Sequence, residues 1–260
     1  MRAVIVLPTY NERENVAGFL RAVREVRLAH DTELDVLIVD DSSPDGTAEI
    51  ARQAAAELDG APDHNRGSTS VLVRPGKQGL GSAYRQGFQQ VLGGAVDGAA
   101  RYDVVVSMDA DLSHDPLVLP AMFAALADGA DLVVGSRYVR GGGTTDWPVR
   151  RQLLSKWGNT YTRFVLGLDT RDCTSGYRAY RATALAAVQP ASTGAEGYAF
   201  LTELVRRFTR AGYKVVETPI VFRDRAAGRS KMSGRIIAES MLLVTRWGLR
   251  DLLTGRRRGR

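Results

Sequence analysis

Short apolar runs recur through the first half of the chain, and each is closed by a polar or glycine-bearing stretch before a helix-like spacing begins. Val4-Ile5-Val6-Leu7 stops at Pro8, and from Asn15 to Val26 the apolar residues Val16, Phe19, Leu20, Val23 and Val26 fall on one helix face. Leu34 to Val39 reads as a second strand, followed by Asp40 to Thr47 and an alanine-rich helix to Leu58. Val71 to Val73 is the third, with a loop from Pro75 to Gly81 and a helix to about Leu92; Ala61 to Ser68 reads as an exposed loop. Val104 to Met108 is the fourth, with Asp115-Pro116 as the cap and first position of the next helix, and Leu132 to Val134 is the fifth. Strand and helix in alternation predict an α/β fold: a Rossmann-like, mainly parallel sheet flanked by helices, with ligands at the carboxyl ends of the strands.

The alternation breaks at Gly141-Gly142-Gly143 and Trp147-Pro148. Val149 to Leu166 then reads as an amphipathic helix, with Leu153, Leu154, Trp157, Tyr161, Phe164 and Val165 at helical spacing and Arg150, Arg151, Lys156 and Arg163 between them. A helix at about Tyr198 to Ala211, a strand from Lys214 to Phe222 and a last helix at about Gly234 to Leu253 follow, before the basic tail Arg256-Arg257-Arg258-Gly259-Arg260. The stripes around Trp157 and Trp247 suit two uses, packing on the sheet and lying in a lipid interface, and both are expected in part. This division assigns 1–231 to one domain, including the helix at 149–166, and 232–260 to an appended helix and tail.

Composition narrows the class. A formal charge of +6 at pH 7 points to an anionic partner or surface. The single cysteine, Cys173, excludes an intramolecular disulfide framework and reads as a buried thiol in a reducing compartment. No apolar run reaches spanning length, and strand-like residues from Ala3 predict no leader peptide. The expected location is cytoplasmic, peripheral at the cytoplasmic face of a membrane.

The candidate chemistry gathers at the strand ends. Asp109-Ala110-Asp111 follows directly on the fourth apolar run. Two carboxylates leaving a buried strand together suit a hard divalent cation shared with substrate phosphates, although an isolated Asp-x-Asp also serves to solvate a turn. Tyr10 and Glu12, in Pro8-Thr9-Tyr10-Asn11-Glu12, suit stacking on a nucleobase and accepting from its amino groups, or simply capping the next helix. Asp40-Asp41 suits ribose hydroxyls, a base, or a turn opening a helix. Three successive strand ends of this kind make a nucleotide cleft the better reading.

These segments carry a resemblance. Pro8 to Glu12, Val39 to Thr47, Asp109 to His114, Gly135-Ser136-Arg137-Tyr138, Trp147-Pro148, Thr174-Ser175-Gly176-Tyr177-Arg178 and Phe222 to Lys231 resemble, in order and over nearly the whole chain, family 2 glycosyltransferases of the GT-A fold, and more narrowly the dolichol-phosphate and polyprenol-phosphate mannose synthases. The resemblance implies that Pro8, Tyr10, Glu12, Val39 and Asp41 hold the guanosine of GDP-mannose. It implies that Asp109, Ala110 and Asp111 meet Mg²⁺ or Mn²⁺ and the diphosphate, with Arg137, Arg225 and Lys231 adding positive charge. Arg151 and Ser155 would meet the phosphate of a polyprenyl phosphate, and Ser113 stands where some relatives carry a glutamine near the metal. The loop from Arg225 to Lys231 would close over the diphosphate. Arg178, Arg223 and Arg229 read as structural or solvent-facing, and Glu203 as a supporting or acceptor-side group or a surface carboxylate.

The reaction expected is inverting mannosyl transfer giving a β-linked product and GDP, at a membrane surface and with a membrane-protein partner left open. A phosphate acceptor, largely dianionic at neutral pH, needs no dedicated base. Alternatives are a UDP-glucose donor, a sugar-hydroxyl acceptor, and a non-catalytic nucleotide- or nucleic-acid-binding module. The last is disfavoured because paired aspartates repel a phosphate backbone.

Overall fold

The computed structural model describes residues 1–30, 32–60, 66–93, 101–223 and 234–254. Its strands are β1 (Arg2–Thr9), β2 (Glu33–Asp40), β3 (Thr69–Val73), β4 (Val104–Ser107), β5 (Leu132–Ser136), β6 (Gly143–Thr144), β7 (Arg178–Arg181), β8 (Val215–Pro219) and β9 (Val221–Phe222). Its α-helices are α1 (Val16–His30), α2 (Thr47–Asp59), α3 (Leu80–Gly93), α4 (Leu119–Ala127), α5 (Val149–Leu166), α6 (Ala182–Ala187), α7 (Gly197–Arg210) and α8 (Gly234–Leu253).

Seven strands form one sheet in the order β3-β2-β1-β4-β7-β5-β8, and β6 pairs with β9 in a small second one. All pairings are parallel except those of β7, which runs antiparallel between β4 and β5. Both faces of the main sheet are covered. Ala3, Ile5 and Leu7 of β1 join Phe19, Val23, Met122 and Phe123 of α1 and α4 in one layer. Val4 and Val6 join Tyr84, Phe88, Phe200 and Leu204 of α3 and α7 in the other. Burial on both faces is why β1 and β2 read as continuous apolar runs rather than alternating ones. Gly87 lets α3 lie close, since a Cβ there would stand 2.4 Å from Val6.

Two expectations change. The strand expected over Lys214 to Phe222 is broken at Ile220: β8 follows β5, then Ile220 donates its N–H to Ser136 O, and β9 leaves to pair with β6. Pro219 has no N–H to continue the ladder, so the chain changes partner there. The strand β7 was not expected, because Arg178-Ala179-Tyr180-Arg181 lacks an apolar run.

The last helix, α8, is held by specific contacts. Gly248 lies against Val165 of α5, where a Cβ would meet the Val165 carbonyl oxygen at 2.9 Å. The hydroxyls of Tyr161 and Thr245 are 2.7 Å apart. Asp251, buried, pairs with Arg206 and Arg210 of α7. Trp247 packs on the sheet layer, whereas Leu153, Leu154, Trp157 and Phe164 of α5 and Leu242, Leu249, Leu252 and Leu253 of α8 are exposed. Each stripe is thus divided between packing and an outward apolar face. Among the described residues no helix is long and apolar enough to cross a membrane.

Candidate active site

The turn after β4 carries the two carboxylates. Asp111 is buried and its Oδ1 accepts the Ser113 N–H at 3.1 Å, while about a third of the Asp109 side chain reaches solvent and lines a cavity. Leu112, directly after Asp111, has φ of 59°, a conformation L-residues adopt at a cost and one that collects at functional sites. Asn11 and Ser42, in the turns after β1 and β2, share it. His114 lies under the turn, its ring 5.2 Å from Tyr177 and 5.3 Å from Phe222, and its Nδ1 accepts the Asp109 N–H at 3.4 Å. Burial lowers this imidazole to about 4, so the ring is neutral at pH 7 and adds no positive charge beside the aspartates.

The cavity beside Asp109 is lined at its polar end by Arg137, Arg151, Ser155, Asn159 and Thr174. Arg137 is gripped by Asp172, with Nε and Nη2 each 2.7 Å from the carboxylate, and Nη2 also donates to Thr174 Oγ1 at 2.9 Å. Arg151 lies 3.9 Å above the Trp147 ring, and the Arg137 guanidinium is 5.5 Å from the same ring. One indole thus steadies two cations at the cavity mouth. Tyr138 donates to Ser155 Oγ at 2.6 Å. Beyond this charged end the cavity runs between α5 and α8 along Leu154, Trp157, Met241 and Val244.

Burial pushes the Asp172 carboxyl up, but the charge and hydrogen bonds of Arg137 outweigh it and hold the pKa below the usual range. A carboxyl lowered on folding stabilises the protein above its unfolded value of about 4 and loses that contribution as pH falls through the folded one. Asp172→Asn, which removes the charge that the Arg137 guanidinium faces, is expected to cost about 3–5 kcal/mol at pH 7. The deficit should shrink below about pH 4. Equal urea midpoints for variant and wild type at pH 7 would show that the pair holds nothing together.

On the other side of the turn, the loops after β1, β2 and β3 are laced together. Asp40 accepts from Thr9 Oγ1 and from the Ser43 N–H, both at 2.9 Å. Asp45 accepts from Arg13 N and Thr47 N, and the Asn11 N–H reaches Ser43 Oγ. The Glu12 carboxylate accepts from Asn15 Nδ2 at 2.8 Å. Asp41 is turned inward: Oδ1 meets the buried Arg74 at 2.7 Å, and Oδ2 accepts the N–H groups of Gln78 and Gly79.

The sequence profile for Glycosyl transferase family 2 matches residues 4–188. The chain is a family 2 glycosyltransferase. An undecaprenyl-phosphate mannosyltransferase of Micrococcus luteus is 44% identical over 96% of this chain and 95% of its own. A polyprenol monophosphomannose synthase of Mycolicibacterium smegmatis is 43% identical over 97% and 89%. A mannosyltransferase of Pyrobaculum calidifontis, solved in complex with GDP-Man and Mn²⁺, superposes with a TM-score of 0.61 at 20% identity, covering 96% of this chain and 64% of that one. The transferase therefore has the GT-A fold expected from its motifs.

Of the residues singled out in the sequence, Pro8, Tyr10, Glu12, Val39 and Asp41 lie at neighbouring strand ends, and Asp109, Arg137, Arg151 and Ser155 share the cavity, with Ala110 and Asp111 in its turn. Arg225, Lys231, Arg229 and the expected closing loop lie outside the described residues, as does the basic tail. Arg178 is structural: buried, it donates to the carbonyls of Ser175, Leu201 and Cys173. Glu203 is a buried brace, accepting from Ala195 N and Arg207. Cys173 is buried, and desolvation raises its thiol to about 12, which leaves it inert. Asp172 and Asn159 were missed, and Thr174 was named only as part of a motif. Trp147 and His114 carried no role beyond motif membership; a Trp-Pro directly before an arginine-bearing helix is the signal that marks the first as a platform for Arg151.

The donor set fits a hard divalent ion. Two carboxylates stand on one turn, and beside them the buried Ser113 Oγ has no hydrogen-bond partner among the described residues. Among the described residues no group of three or more acidic, histidine or cysteine side chains stands together; an ion held by the two aspartates would take its other ligands from substrate oxygens and water, as is usual for Mg²⁺.

Proposed function

We propose that the transferase moves mannose from GDP-mannose to a polyprenyl monophosphate, with inversion, giving a β-linked polyprenyl-phosphate mannose and GDP. One observation carries the reading: the cavity that opens at Asp109 is cationic at one end, through Arg137 and Arg151, and apolar at the other, between α5 and α8. A phosphate on a hydrocarbon chain has the same two ends. The names of the relatives 43–44% identical along nearly their whole length support it.

In this reading Asp109 and Asp111 hold Mg²⁺ or Mn²⁺, which when bound stabilises charge on the departing diphosphate. Pro8, Tyr10, Glu12, Val39, Asp41 and Ala110 receive the nucleotide, and Arg225 and Lys231 add charge to the diphosphate. Arg151 and Ser155 orient the acceptor phosphate, which is nucleophilic without a base, and the Asp172-anchored Arg137 spans the space between acceptor and donor. Residues 1–231 form the catalytic domain, and α8 completes the acceptor side. The outward apolar residues of α5 and α8 rest in the cytoplasmic face of the membrane, with Arg150 and Lys156 near anionic headgroups.

The test is transfer of labelled sugar from GDP-mannose, and separately UDP-glucose, into solvent-extractable lipid in vesicles that contain polyprenyl phosphate. EDTA-sensitive mannolipid from GDP-mannose alone is expected, with the protein floating together with the vesicles. Glucolipid would replace the donor. Sugar transferred only to a water-soluble acceptor, or protein that never floats, would overturn the acceptor and membrane assignments.

A further inference from the structure

The loop between β3 and α3 reaches across the end of β2 to the turn after β1. Lys77, exposed on this loop, holds its ammonium 4.2 Å from the centre of the half-buried Tyr10 ring, a cation–π distance. The placement is built in from below. Asp41 accepts the N–H groups of Gln78 and Gly79, immediately after Lys77, at 3.1 and 3.3 Å. Arg74, before it, is wholly buried, is paired with Asp41, and donates from Nη2 to Gln78 Oε1 and Ser82 Oγ. Gly76 and Gly79 have φ of 136° and 95°, so the loop turns on both sides of the lysine in conformations open mainly to glycine. The inward turn of Asp41 therefore has a use that a base-binding role alone does not explain: it fixes the loop that sets Lys77 over Tyr10.

We propose that Lys77 is a specificity residue that reads the nucleobase of the donor. The inference rests on the nucleotide-sugar reading above. An aromatic face at the mouth of the cleft is where a base stacks, and here the Lys77 ammonium covers it. When a base takes the ring, the lysine moves to the base's edge. There an ammonium, with three donors and no acceptor, favours a carbonyl oxygen and disfavours an exocyclic amine. Glu12, two residues from Tyr10, has the opposite preference, since a carboxylate only accepts. A cation beside a carboxylate matches an edge that presents an oxygen next to ring and amino N–H groups, which is the 6-oxo-2-aminopurine edge of guanine. Adenine reverses the first of these, and uracil sets a second oxygen where the carboxylate would need a donor.

The experiment is equilibrium binding, with Mn²⁺ present, of GDP, UDP and the diphosphate of 2-aminopurine riboside, which lacks the 6-oxygen, to wild type, Lys77→Ala and Lys77→Arg. Lys77→Ala is expected to weaken GDP roughly tenfold, the scale of one hydrogen bond to a charged group, and to leave the 2-aminopurine nucleotide nearly unchanged. Lys77→Arg should restore most of the difference. Equal loss for both purine nucleotides would mean that the lysine serves the phosphates, and no loss for either would mean that it only shields Tyr10; both results overturn the proposal. Wild type that prefers UDP would overturn the GDP-mannose reading instead. Lys77 is then judged on the same ratio between UDP and the 2-pyrimidinone nucleotide, which lacks the 4-oxygen.

Discussion

Asp111→Asn is expected to lower mannosyl transfer by roughly three orders of magnitude, the scale on which losing charge stabilisation at a leaving group is felt. The substitution is chosen for what it preserves. Asp111 is buried and its Oδ1 accepts the Ser113 N–H, and an asparagine oxygen can keep that bond while the negative charge is lost. The left-handed Leu112 then remains supported, so an inactive variant should melt with wild type. A binding readout separates charge from fold: Mn²⁺ should tighten GDP binding by wild type and do so much less for the variant. Normal turnover by Asp111→Asn would sink the assignment of this turn to the metal.

Arg151→Ala should lower kcat/KM for polyprenyl phosphate by about 10- to 100-fold while leaving GDP affinity within about twofold, because one charge-assisted hydrogen bond is worth about 1.5–3 kcal/mol. The guanidinium lies on the Trp147 ring at the cavity mouth, on the opposite side of Asp109 from the loops that carry Tyr10 and Glu12 in this reading. Arg151→Lys is the informative companion. It keeps the charge but loses the planar stacking on the indole, so partial recovery is expected. A collapse of GDP affinity in Arg151→Ala would move this residue to the donor side and reopen the acceptor assignment.

The parts of this architecture that depend on neighbours in sequence were legible there. The runs at β1, β2, β4 and β5 are apolar because helices bury both faces of the sheet, and Asp109 and Asp111 stand out because they begin where such a run stops. What escaped depends on partners far along the chain. The strand β7 carries arginine at each end, and its central place is set by pairing with segments about 75 and 45 residues earlier. Asp172 and Arg137 are 35 residues apart, and neither residue alone announces a buried bidentate pair. The ion pair that holds Asp41 was likewise hidden, because its partner, Arg74, lies at the end of another strand. The stripe on α5 gave the right residues but not their division between Val165, which meets Gly248, and Phe164, which faces outward.

The antiparallel β7 also bears on how the chain assembles. β3, β2, β1 and β4 lie side by side and come from the first 107 residues, so their pairing can begin while the remainder is still being synthesised. One edge of β4 has no partner until residues 178–181 arrive and β5 closes on their far side. The strand that delivers the Asp109–Asp111 turn thus waits on a segment about 75 residues further along the chain, and late closure of that edge leaves it open to strand mispairing and aggregation.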